Sequence, residues 1–190
     1  MPQITNIAVF ASGEGTNADN LFRHFQYHPK IRIALLVCNN PLAGVIARAQ
    51  NANIPIETID REQWKNPESV VLLLKQYNID YMVLAGFLWL IPAALVNAYP
   101  EKIINIHPSL LPKFGGKGMY GIKVHEAVKE AGERLTGITI HFIDNEYDKG
   151  KIIFQEKVEI NPRDTAEDIA AKVRELELKY LPQVIEQVVG

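Results

Sequence analysis

A chain of 190 residues, 47% hydrophobic and 22% charged, can bury a full-sized core, which excludes a disordered or disulfide-stapled class. The formal net charge of −2 argues against general affinity for nucleic acid or anionic membrane. The single cysteine, Cys38, excludes an intrachain disulfide, and no apolar run approaches the ~20 residues of a membrane span. The first residues lack the basic and apolar stretches of a signal peptide, so a cytoplasmic protein is expected.

Short apolar runs alternate with amphipathic ones along the chain. Strands are predicted over 7–11, 31–37, 56–59, 81–85 and 102–106. Between them, helices are predicted over 18–27, with Leu21, Phe22 and Phe25 on one face, over 42–53, and over 68–77, with Val71, Leu72 and Leu74 turned inward. A short helix with Pro92 at its start is predicted over 92–98. Two strands, 135–143 and 151–160, then flank a polar turn. Asp164-Thr165-Ala166-Glu167 reads as the cap of a helix running to about residue 188. The order predicts an α/β fold: a doubly wound, mostly parallel sheet with helices on both faces and an antiparallel hairpin at one edge. No repeat or linker divides the chain, so one domain spanning 1–190 is expected. Ligands bind such sheets at the carboxyl ends of the strands, which directs attention to segments 12–17, 38–41, 86–91 and 107–121.

Ser12-Gly13-Glu14-Gly15-Thr16-Asn17-Ala18 follows the first strand and opens the first helix. Its glycines allow close backbone approach, and a helix N-terminus presents free N–H groups to an anion. A dinucleotide site would need an acid about 20 residues on, and Cys38-Asn39-Asn40 supplies none. A single phosphate suits the loop better; a plain helix cap by Thr16 or Asn17 is the alternative. Cys38, ending an apolar run, reads as a buried strand-end thiol rather than a nucleophile.

Asn105 and His107 lie two apart at the end of the fifth strand and so share a face. An amide can donate to a developing oxyanion and an imidazole can pass a proton near neutral pH; a hydrogen-bonded core histidine fits the residues equally well. Asp144-Asn145-Glu146-Tyr147-Asp148-Lys149-Gly150 joins the late strands. Calcium ligation is disfavoured by Lys149 at the sixth position and Gln155 at the twelfth, leaving a solvated turn or a functional acid. His24, His28 and His125 read as helix-surface residues, His141 as a supporting residue behind the site, and no spacing suggests a metal.

The run Asn105-Ile106-His107-Pro108-Ser109-Leu110-Leu111-Pro112 resembles the signature of the folate-dependent formyltransferases. Ala11-Ser12-Gly13-x-Gly15-x-Asn17, Leu84-Ala85-Gly86-Phe87 and Asp144-x-x-x-Asp148-x-Gly150 resemble further segments of that family in the same order. Within the family, the resemblance is to members acting on glycinamide ribonucleotide. It implies transfer of the formyl group of 10-formyltetrahydrofolate, as co-substrate, to the amine of that nucleotide. It assigns catalysis to Asn105, His107 and Asp148, and the phosphoribosyl substrate to Gly15, Thr16, Asn17 and Glu177. It assigns the folate to Leu88, Trp89, Leu90, Ile91, Asn105, Asp144 and Tyr147. Small-molecule partners, no metal, no nucleic acid, no membrane, and a monomer or homodimer are expected. Relatives that hydrolyse the formyl donor or formylate a transfer RNA carry an extra domain, for which no room is expected here.

Two stretches depart from the pattern. Lys113-Phe114-Gly115-Gly116-Lys117-Gly118-Met119-Tyr120-Gly121 replaces a Pro-Gly and histidine stretch, and its glycines predict a mobile flap. Trp64-Lys65-Asn66-Pro67 stands where relatives place an arginine near the folate.

Overall fold

The computed structural model describes residues 4–146 and 148–190. Seven strands form one sheet in the order β3-β2-β1-β4-β5-β6-β7. The parallel strands are β1 (Thr5–Ala11), β2 (Ile31–Cys38), β3 (Ile56–Thr58), β4 (Tyr81–Leu84) and β5 (Ile103–His107). Antiparallel to β5 runs β6 (Leu135–Phe142), and antiparallel to β6 runs β7 (Ile152–Glu159). The helices are α1 (Thr16–Phe25), α2 (Gly44–Asn51), α3 (Arg61–Lys65), α4 (Pro67–Gln76), α5 (Ala93–Ala98), α6 (Ile122–Glu130) and α7 (Ala166–Val189).

The continuous apolar strands exist because both faces of the sheet are covered. Alternate residues of β1 divide between two cores. Ile7, Val9 and Ala11 pack under α1, α2 and α7, whereas Ala8 and Phe10 pack under α3, α4 and α5. Thr165 caps α7 by accepting from the Asp168 N–H at 3.1 Å, while Asp168 Oδ2 accepts from the Thr165 N–H at 2.8 Å. Among the described residues no helix is long and apolar enough to cross a membrane.

The predicted α/β architecture is the observed one, with three local corrections. Leu72 is 61% exposed; Val70 and Leu74, four apart on one helical face, are the buried residues of α4, with Val71 half-buried against the same core. Neither α3 nor α6 was predicted, the first because it is only five residues long, the second because it follows a glycine-rich stretch and its own charges blur the pattern. His125, expected at the surface, is instead 5% exposed on the inner face of α6.

Candidate active site

Strand order reverses between β1 and β4, and the segments leaving their carboxyl ends open a cleft there. The Ser12 N–H donates to Gly86 O (3.1 Å), and Ser12 Oγ accepts from the Leu88 N–H (3.0 Å). The glycine loop is also held from its other side. The Val45 N–H donates to Gly13 O (3.1 Å) and Arg48 Nε to Glu14 O (2.7 Å). Gly15 caps α1 at φ 74°, with no side-chain cap, and a Cβ there would lie 2.4 Å from Val45 Cγ2. Glycine is therefore required by backbone handedness and by packing on α2 together.

The catalytic candidates meet at the junction of β5 and β6, on the wall of a cavity of about 640 Å³. Pro108 ends β5, and the turn after it is pinned to β6. Thr139 Oγ1 donates to Ser109 O (2.7 Å) and accepts from the Leu111 N–H (3.0 Å). His107 Nε2 lies 2.8 Å from Phe114 O; a carbonyl only accepts, so Nε2 carries a hydrogen. Its Nδ1 faces Asp148 Oδ2 at 3.7 Å, a gap beyond direct hydrogen bonding. The other oxygen, Asp148 Oδ1, lies 3.7 Å from His141 Nε2. Asp148 Oδ2 also accepts from the Gly116 N–H at 2.7 Å, so the glycine flap is tethered to the two candidates at Phe114 and Gly116. Asp148 and Phe114 both adopt positive φ, 54° and 55°, a conformation costing about 1–3 kcal/mol each in non-glycine residues.

At one end of the cavity α1 and α7 meet. Asn17 Nδ2 donates to Glu177 Oε2 at 3.0 Å, and Arg174 lines the wall beside them. Burial pushes the Glu177 carboxyl above its ordinary pKa, opposed by Asn17 and Arg174. At the other end Leu88, Trp89, Leu90 and Ile91 form an apolar wall, with Leu88 and Leu90 exposed at the rim. Trp64, buried beneath, donates from Nε1 to Leu90 O (3.0 Å) and fixes that segment. Arg61 stacks over the Trp89 ring at 4.3 Å.

The cavity wall thus brings together Asn17, Leu88, Trp89, Leu90, Ile91, Asn105, His107, Asp144, Asp148 and Glu177. Gly15 and Thr16 adjoin it without lining it, and Tyr147 lies outside the described residues. Cys38 is the buried strand-end thiol expected, donating to Asn40 O at 3.2 Å. Lys65 pairs with Glu62 at the surface, and the cation on the aromatic wall is Arg61 instead. Sequence reasoning missed Arg61, Arg174 and His125. No local signal marked them: Arg174 and His125 line the cavity from helices whose facing only the fold decides, and Arg61 stacks on Trp89 of its wall. Burial first, and then the neighbouring His107 and Arg174, push the His125 imidazole down to about 4. His125 Nδ1 has no hydrogen-bond partner among the described residues. Among the same residues no group of three or more His, Cys, Asp or Glu side chains is placed to hold a metal ion.

Comparison with known proteins places this geometry in a family. The family model described as formyl transferase matches residues 5–185. The phosphoribosylglycinamide formyltransferase of Bacillus subtilis is 38% identical, over 96% of this chain and 94% of its own length. The chloroplastic phosphoribosylglycinamide formyltransferase of Arabidopsis thaliana is 40% identical over 97% of this chain. The chain spans 65% of the length of that relative and 59% of the length of its Vigna unguiculata counterpart. The crystal structure of glycinamide ribonucleotide transformylase 1 from Geobacillus kaustophilus superposes with a TM-score of 0.91 at 35% identity, covering 99% of this chain and 100% of that one. A match over nearly the whole chain, shared with a relative that it covers almost end to end, means that the chain belongs to the formyl transferase family.

Proposed function

We propose that the chain, acting as one catalytic domain, transfers the formyl group of 10-formyltetrahydrofolate to the amine of glycinamide ribonucleotide. The observation that carries this reading is the grouping of Asn105, His107 and Asp148 on one cavity wall, between a polar end and an apolar end. The names of the Bacillus subtilis and plant relatives supply the acceptor.

The apolar wall of residues 88–91, with Trp89, suits the flat ring of a folate, and Asp144 at the same end can accept from its ring N–H groups. The backbone of Gly15 and Thr16, at the start of α1, suits a phosphate monoester. Asn17 and Glu177 stand within hydrogen-bond distance of each other and can share the ribose hydroxyls; Arg174 adds positive charge beside them.

The bound amine attacks the formyl carbon and the carbonyl oxygen becomes an oxyanion. Asn105 Nδ2–H and a protonated His107 donate to it. Phe114 O holds the Nε2–H of His107, which leaves Nδ1 as the proton-handling atom on the Asp148 side. A water in the cavity beside the His107–Asp148 pair can relay the proton from the attacking nitrogen toward N10 of the folate. The C–N10 bond then breaks, N10 leaves carrying that proton, and the formamide and tetrahydrofolate are released. All residues come from one chain, so a monomer or a homodimer can do this, and a cytoplasmic location suits its substrates. The test is formation of tetrahydrofolate from 10-formyltetrahydrofolate with and without glycinamide ribonucleotide. Acceptor-dependent turnover is expected; equal rates without acceptor would make the protein a hydrolase, and no turnover would remove the reading.

A further inference from the structure

His141 has no part in the proton path above, yet it is fully enclosed at the site, with no exposed surface. It stands directly opposite Asn105 in the β5–β6 ladder. Its Nδ1 lies 2.9 Å from Phe142 O, an atom that only accepts, so Nδ1 carries a hydrogen. Its Nε2 lies 3.1 Å from Asn105 Nδ2, an atom that only donates. Both contacts are satisfied together only by a neutral ring with the hydrogen on Nδ1 and a bare Nε2.

We propose that His141 is a positioning residue that fixes the side-chain amide of Asn105. One Asn105 N–H is spent on His141 Nε2, which sets which end of the amide is nitrogen and turns its second N–H into the cavity. Without that acceptor nothing in the ladder distinguishes the two amide orientations, and the flipped one presents an oxygen to a developing oxyanion. A charged His141 would have the same effect, because Nε2–H would call for Asn105 Oδ1 instead. The groups facing the ring divide on this point. Burial and His107 oppose the cation, while the Phe142 carbonyl, Asp148 Oδ1 at 3.7 Å and Asp144 favour it. Burial is the largest influence and pushes the imidazole below its ordinary pKa, so the neutral form prevails. The inference rests on the formyl-transfer reading for the use of Asn105, but not for the hydrogen-bond pattern itself.

The test has a spectroscopic and a kinetic arm. Two-bond ¹H–¹⁵N correlation of the wild-type histidines near neutral pH is expected to show His141 protonated on Nδ1 alone. A hydrogen on Nε2 overturns the proposal. Kinetically, His141→Phe removes the acceptor and is expected to lower kcat about 10-fold to 100-fold, part of the ~10²–10³ that a lost oxyanion donor costs. KM for both substrates should be little changed, and His141→Gln, whose Oε1 can accept, should recover most of the loss. Wild-type kcat in a folded His141→Phe protein, or a Gln variant as slow as the Phe one, also overturns it. Should the Phe variant not fold, the tautomer and the Gln variant still decide. Full turnover in Asn105→Ala would instead refute the catalytic use of Asn105, a failure distinct from a wrong His141 tautomer.

Discussion

The two halves of the sheet build their shares of the site by different means. In the parallel half, the glycine loop is a backbone device. Its shape is set by φ at Gly15, by Val45 beneath it, and by carbonyls tied to α2 through Val45 N–H and Arg48. In the antiparallel half, the site is a side-chain device: Asn105 is tied to His141, and His107 and Asp148 are each anchored to the flap and face each other across β5 and the loop after β6. The difference teaches where a substitution should register. Damage to the backbone device should appear first in stability and substrate KM, and damage to the side-chain device in turnover.

The largest expected effect lies in the second half. Asn105→Ala or His107→Ala should lower kcat by ~10²–10³ in a folded protein, the usual cost of one oxyanion donor. Steady-state kinetics beside a thermal melt would check it, and unchanged kcat in either would dissolve the contrast. Gly15→Ala probes the other half. A left-handed backbone and a clash with Val45 should together cost about 2–5 kcal/mol, read as a shift of the denaturant midpoint. A midpoint unchanged within error would mean the loop is not built on its glycine.

A third expectation concerns acid. His125 falls from 6.5 to about 4 on folding, so the unfolded chain binds more protons between those values. Stability from this group is therefore whole above about pH 6.5 and is lost as pH falls toward 4, by on the order of 2–3 kcal/mol. His141, lowered in the same direction, adds to the slope. Denaturant melts across that interval should flatten in His125→Phe; an identical slope would place the acid sensitivity elsewhere. The smallest effect belongs to Lys65→Ala. Its exposed pair with Glu62 on α3 should matter by less than about 0.5 kcal/mol, with KM for the folate unaltered. A raised KM would return to Lys65 the role that the stacking geometry gives to Arg61.

The parallel half was the more legible in sequence. Apolar runs such as 31–37 and 81–85 declare doubly buried strands, and a glycine turn before a helix has a local pattern. In the antiparallel half Asn105 and His107 were visible as polar residues on an apolar strand, and the specific run through Pro112 tied them to a family. Other groups around that pair were not visible in the same way. His125 sits on a helix whose inward face depends on how α6 packs against α7, and Phe114 and Gly116 act through backbone atoms that carry no residue signature. Arg61 reaches Trp89 only because β3 and α3 bring segment 56–65 beside segment 86–91.

The account turns on Asp148 acting through His107, and the same loop offers its own control. Asp144 and Asp148 share one turn and one cavity, but only Asp148 faces the His107 ring. Single-turnover formyl transfer should be measured for Asp148→Asn and Asp144→Asn beside the wild type, with folding checked by melt. The account predicts that Asp148→Asn slows the chemical step by ~10²–10⁴, the usual range for a lost acid–base group, while Asp144→Asn mainly weakens folate binding. Wild-type single-turnover rates in a folded Asp148→Asn protein would contradict it.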